Sequence, residues 1–172
     1  VPSDAVIMNS NGEDVTANYD ITYVNGTLIV MSNEEILSIE IDDITYEWKS
    51  DTKTFKVARC NSTLSSLVIP GRIEYNHVWY YVTEIGAEAF MDNTSLVSID
   101  MPDDITIISA CAFKNCTNLS EIRLPARLTG IEAETFSGCT NLTSVTIPFS
   151  VTYVSENAFS YCNGNLIIYV PE

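Results

Sequence analysis

Phe136-Ser137-Gly138-Cys139-Thr140-Asn141-Leu142-Thr143-Ser144-Val145-Thr146-Ile147-Pro148 is one copy of a pattern that returns every 23 residues. Phe90, Phe113, Phe136 and Phe159 share one column, and Pro102, Pro125, Pro148 and Pro171 another. Thr83, Thr106, Thr129 and Thr152 keep the same step, as do Leu96, Leu119 and Leu142, and Cys116, Cys139 and Cys162. Four aliphatic columns run with them: Val82, Ile105, Leu128, Val151; Ile85, Ile108, Ile131, Val154; Ile99, Ile122, Val145, Ile168; and Met101, Leu124, Ile147, Val170. A fixed internal period of this length is the signature of a repeat architecture.

One such copy is too short to bury its own apolar face, so neighbours must stack and share a core. Within a copy, Leu142-x-x-Val145-x-Ile147 ends in the alternation of a short strand. Pro148 closes the strand, because proline cannot donate to a ladder. Val151-x-x-Val154 begins a second extended segment, and Ala158-Phe159-x-x-Cys162 reads as a tight helical or 3₁₀ turn that carries the chain back. Successive parallel strands are expected about 4.8 Å apart. The phenylalanine column is the expected spine, each ring contributing about 1.5–3 kcal/mol on burial. Asn93 stands where the other copies have cysteine, and Asn165-Leu166 shifts the leucine by one position. Such departures are expected where a stack stops or is capped.

Val82-Thr83-Glu84-Ile85-Gly86-Ala87-Glu88-Ala89-Phe90, Phe136-Ser137-Gly138-Cys139-Thr140-Asn141-Leu142 and the closing Ile168-Tyr169-Val170-Pro171-Glu172 resemble the BspA-like leucine-rich repeats of bacterial surface proteins. Ile44-Thr45-Tyr46 through Leu67-Val68-Ile69-Pro70 resembles a leading half-repeat, so the likeness spans about residues 40–172. Ser109, Glu132 and Ser155 depart from the pattern at the Gly86 position, and Thr135 replaces its alanine. The resemblance implies a mainly β protein with short helical or 3₁₀ turns: a right-handed solenoid of about four 23-residue coils, over about residues 82–171, preceded by β-hairpins. It implies a surface-exposed or secreted protein acting in adhesion or protein recognition, and it carries no catalytic residues. Fold likeness alone does not establish function.

The segment ahead of the repeats reads as hairpins. Asn25-Gly26 between Ile21–Val24 and Thr27–Val30 is a strong two-residue turn signal. Asp43–Trp48 and Thr54–Val57 flank a polar turn, and a third hairpin is expected at Asn76-His77. Asp14–Asp20 with the first hairpin resembles the closing strands of bacterial immunoglobulin-like modules, but too little is present for a sandwich of about 100 residues. Residues 1–35 are therefore either a partial module or a cap, residues 36–172 the repeat domain, and Ser32–Glu35 the boundary between them.

The formal net charge of −15 repels nucleic acid and anionic membrane surfaces. No apolar run approaches the roughly 18 residues of a spanning helix. Val1, with neither an initiator methionine nor a leader after it, reads as the start of a processed or excised chain. The single histidine, His77, falls in an expected turn, and no metalloprotease, nucleotide-binding or nucleophile-elbow motif occurs. Asp42-Asp43 and Asp103-Asp104 read as solvated turn residues. The five cysteines lack zinc-site spacing. Stacked parallel cysteines also fit disulfide geometry poorly, so Cys116, Cys139 and Cys162 read as buried free thiols, with Cys60 and Cys111 outside their column. No catalytic residue, cofactor or metal is expected.

Solenoids bind on the face where the outward strand side chains align. With Val145 and Ile147 inward, Ser144 and Thr146 point out. By the same register Asp100, Arg123, Thr146 and Tyr169 form one outward column, and Ser98, Glu121, Ser144 and Ile167 its neighbour. Trp79, Tyr81 and Tyr153 add aromatics of the kind interfaces favour. A protein ligand, from the host or from a bacterial surface or matrix, is the expected partner. A display spacer without a ligand of its own and a carbohydrate-binding surface are the alternatives.

Overall fold

The computed structural model describes residues 19–24, 27–32, 38–75 and 78–171. The chain divides into two units, Val1–Leu37 and Ser38–Glu172. In the first, β1 (Tyr19–Val24) and β2 (Thr27–Ser32) pair antiparallel from Tyr19↔Ser32 to Val24↔Thr27. The Asn25-Gly26 turn, the Ser32–Glu35 boundary beyond Ser32, and the Asn76-His77 turn lie outside the described residues.

The second unit opens with an antiparallel meander of β3 (Ser38–Ile41), β4 (Ile44–Lys49) and β5 (Thr54–Cys60). The β3–β4 hairpin is absent from the sequence expectation. Its turn is Asp42-Asp43, both left-handed at φ 50° and 61°. Two left-handed residues match the twist of a hairpin, and aspartate tolerates that conformation better than most residues, though without the glycine that usually advertises it. Tyr46, Phe55 and Val57 alternate inward and are buried.

After β6 (Ser66–Val68), the strand β7 (Arg72–Tyr75) pairs antiparallel with the first half of β8 (Val78–Ile85). The second half of β8 joins β5 in parallel. From there each repeat supplies two short strands: β9 (Ser98–Asp100) and β10 (Ile107–Ile108), β11 (Glu121–Ile122) and β12 (Gly130–Ile131), β13 (Ser144–Thr146) and β14 (Tyr153–Val154), then β15 (Ile167–Tyr169). All their pairings are parallel: β6–β9–β11 and β13–β15 among the first strands, β8–β10 and β12–β14 among the second. Glu121↔Ser98, Gly130↔Tyr153 and Thr146↔Tyr169 are register partners one period apart.

Among the described residues, the segments between the repeat strands contain no helix. They are successive turns closed by i→i+3 bonds, such as Ala89 N–H to Gly86 O and Asn93 N–H to Phe90 O. The sequence expectation of short helical or 3₁₀ turns fails here for a definable reason. Glu88, Cys111 and Glu134 are left-handed, as are Asp92, Asn115, Gly138 and Tyr161, and each breaks a helical run. Alternate amides then point at the next repeat: Phe90 N–H donates to Ala112 O, Phe113 N–H to Thr135 O and Phe136 N–H to Ala158 O, at 2.8, 2.9 and 2.8 Å. A continuous helix would consume those donors internally.

Behind this backbone lies the core. Phe90, Phe113, Phe136 and Phe159 stack nearly parallel, with centroids 5.0, 5.5 and 5.3 Å apart. The first three are fully buried and Phe159 is half-buried. The cysteines follow the same step. Cys116, Cys139 and Cys162 donate from Sγ to the carbonyls of Phe90, Phe113 and Phe136, at 3.0, 3.2 and 3.0 Å. All five cysteines are free thiols. Cys60, outside that register, approaches its first member from β5: Asn93 Nδ2 lies 3.9 Å from Cys60 Sγ while donating to Ser62 O. The threonine hydroxyls form a ladder to backbone, Thr129 Oγ1 donating to Thr106 O and Thr152 Oγ1 to Thr129 O, each at 3.1 Å.

Candidate functional site

Strand alternation divides each first strand into one inward and two outward side chains. Leu67, Ile99 and Val145 are buried at that inward position. Outward, Ser66, Ser98 and Glu121 are register neighbours, as are Val68 and Asp100. On the second ladder Ser144 neighbours Ile167, and Thr146 neighbours Tyr169. Asp100, Glu121, Arg123, Ser144, Thr146 and Tyr169 are exposed, and Ser98 is half-buried, its hydroxyl donating to Ser66 Oγ at 3.0 Å.

These residues do not all share one depression. A shallow hollow of about 540 Å³ is lined by Ser98, Asp100, Glu121, Arg123 and Ser144 with Val68. Thr146 lines a smaller one of about 370 Å³, with Arg123 and Pro148. Tyr169 lines neither.

Arg123 is held from behind. Its Nη2 donates to Asp103 Oδ1 at 2.7 Å, and the same oxygen accepts the Ala126 N–H at 3.0 Å. The Ala126 N–H, and after it the Arg123 guanidinium, hold the Asp103 carboxyl below the usual carboxylate range. Arg127 makes the equivalent bond to Asp104 at 3.1 Å. Asp103 and Asp104 stand in a turn, Asp103 exposed and Asp104 half-buried, and each also bonds an arginine of the next repeat. The pairing joins residues 20 or more apart, so no local pattern announces it.

A second group of exposed side chains lies on the β7–β8 hairpin. The Arg72 guanidinium sits 4.4 Å from the Tyr81 ring centre and donates to its hydroxyl at 2.5 Å. Trp79 is exposed across from Glu74. Tyr153 lies on the strand pair β12–β14, over Gly130, where a Cβ would stand 2.2 Å from its ring. Its hydroxyl donates to Glu132, which raises the pKa of the phenol. Among the described residues no three histidine, cysteine, aspartate or glutamate side chains converge to hold a metal. No described helix is long and apolar enough to cross a membrane.

Residues 61–172 match the family model described as the BspA type leucine-rich repeat region. The chain belongs to the BspA-type leucine-rich repeat family. The family match begins 17 residues after the start of β4, later than the half-repeat expected from residue 44. The fold of the repeat region is shared with a leucine-rich repeat protein from Bacteroides capillosus ATCC 29799. That likeness has 27% identity and a TM-score of 0.69, over 78% of this chain and 99% of the other. One from Bacteroides ovatus ATCC 8483 is also 27% identical, with a TM-score of 0.65 over 78% of this chain and 37% of that one. A leucine-rich cell surface protein from Faecalibacterium prausnitzii A2-165 shares the fold at 23% identity and a TM-score of 0.65, covering 81% of this chain and 44% of its own. No curated protein matches.

Proposed function

We propose that the chain is a non-catalytic protein-interaction module of a secreted or cell-surface protein, acting in adhesion, with its ligand face on the outward columns Ser98, Asp100, Glu121, Arg123, Ser144, Thr146 and Tyr169. The scaffold for that face is a right-handed solenoid of about four 23-residue coils over residues 82–171. Residues 36–172 form the repeat domain, and residues 1–35 an immunoglobulin-like remnant or a cap.

The observation that carries the proposal is the Arg123–Asp103–Ala126 arrangement, which fixes a cation at the edge of a polar hollow before any ligand arrives. A pre-positioned arginine costs less to immobilise on binding. Family membership supports the binding role, since leucine-rich repeats are typically binding modules, and the Faecalibacterium neighbour is named a cell surface protein. Immobilised protein challenged with purified surface and matrix proteins, and in parallel with a glycan array, tests the proposal. Saturable binding to a protein supports it. Binding to glycans alone, or to nothing, overturns it.

A further inference from the structure

The strand β6 is the edge of its sheet. That sheet runs β11–β9–β6, and among the described residues no strand pairs with the outer side of β6. The chain immediately before and after β6 is described, so the fold itself sets this edge: β5 turns away to pair with β4 and β8 in a different sheet. Ser65 O accepts the Ser98 N–H at 3.1 Å, and the Ile69 N–H donates to Asp100 O at 2.9 Å, both toward β9. Strand alternation then aims the N–H and C=O of Ser66 and Val68 at the outer side.

A cleft of about 550 Å³ lies beside that edge, between β6 and the β3–β4 turn. Ile44, Tyr46 and Leu67 line it as buried side chains, whereas Leu64 and Val68, which also line it, are 57% and 70% exposed. Asp42 and Asp43 are the only charged residues in its lining. Both are exposed, and neither carboxylate forms an ion pair among the described residues.

Charge and shape select the occupant. A second copy paired edge to edge would bring two Asp42-Asp43 turns together in molecules that each carry −15, which repels. A sugar stacks on an open aromatic face, and the one aromatic residue here, Tyr46, is buried. An extended peptide answers every feature. Its backbone meets the free groups of Ser66 and Val68, alternate aliphatic side chains cover Leu64 and Val68, and lysine or arginine faces the two carboxylates.

We propose that the outer edge of β6 and its cleft dock an extended segment of another polypeptide, rich in basic and aliphatic residues, which adds to the sheet as a further strand. The acidic turn then has two effects: it keeps copies of this chain off the edge and draws a cationic strand onto it. The site does not use Arg123, and its test is independent of the outward columns.

Calorimetric titration of the 172-residue chain with an acetylated, amidated peptide of alternating lysine and valine, together with amide exchange, tests this. The expected result is saturable binding in which the Ser66 and Val68 amides gain protection. Methylating the peptide nitrogens at alternate residues weakens binding at least about tenfold in one of the two phases, and much less in the other. The variant Asp42→Asn/Asp43→Asn keeps a residue type that tolerates the left-handed turn, and it weakens binding at least about tenfold. Asp51→Asn, beyond the other end of β4, leaves binding intact. No binding at millimolar peptide, equal binding of the alternating glutamate and valine peptide, or a bound peptide that leaves Ser66 and Val68 exchange unchanged overturns the proposal.

Discussion

The ring of Phe113 lies 5.5 Å from that of Phe136, with 8° between their planes. Each is sealed by the repeat on either side, so truncating one opens a cavity that its neighbours cannot fill. Phe113→Ala is expected to cost about 3–5 kcal/mol. Phe159 is half-buried, and in this 172-residue chain its alanine variant is expected to cost less than half as much. Urea denaturation of the two variants checks both; equal costs would mean that ring burial does not set the cost of truncation.

Gly86 donates its N–H to Val57 O at 2.7 Å, and a Cβ there would stand 2.8 Å from that same oxygen. The contact is backbone against backbone, where the meander meets the first repeat. Gly86→Ala should destabilise by about 1–3 kcal/mol. Ser109, Glu132 and Ser155 occupy the position in later repeats, which pack on one another instead of on β5. The nearest atoms to an added Cβ at Gly130 are those of the exposed Tyr153 ring, which can swing aside, so the cost of Gly130→Ala should be the smaller. Thermal melts of the two variants rank them.

Tyr161 is left-handed at φ 58° and 86% exposed, in the column that holds Asn115 and Gly138. A bulky side chain in that conformation is strained, with nothing buried to offset it. Tyr161→Gly is expected to stabilise by up to about 1 kcal/mol, a gain visible as a higher urea midpoint. A lower midpoint would show that the ring has a partner.

Burial pushes the Cys116 thiol up to about 12 and raises that of Cys139 as well. Above the unfolded thiol pKa, near 8.5, the unfolded chain releases protons that the folded chain retains. The stabilisation is therefore complete below about pH 8 and declines as pH rises through 9 toward 12. Tyr46, also raised by burial, acts in the same direction at the upper end. Urea midpoints should fall between pH 7 and pH 10, and Cys139→Ala should flatten the decline. Thiol titration of the denatured, unreduced chain should find all five cysteines free.

The sequence period makes the columns, the inward turn of Val145 and the outward turn of Ser144 and Thr146 legible, because each depends on local alternation alone. The rest depends on contacts that no local pattern encodes. The Asp42-Asp43 turn lacks a glycine, so its hairpin goes unseen. Cys60 meets Asn93 only once β5 is folded against the first repeat. The turns resemble helix in composition, yet their amides are claimed by the next repeat. The Arg123–Asp103 bond sits at an offset of 20, outside the 23-residue step, and so falls between the columns that the eye follows.

The binding face is tested most directly by the affinity of the double variant Arg123→Ala/Tyr169→Ala for the protein ligand found by the surface and matrix screen. Both side chains are exposed, so the variant should lose less than about 1 kcal/mol of stability. Its dissociation constant should rise at least about tenfold. A wild-type dissociation constant in a fully folded double variant would contradict the account.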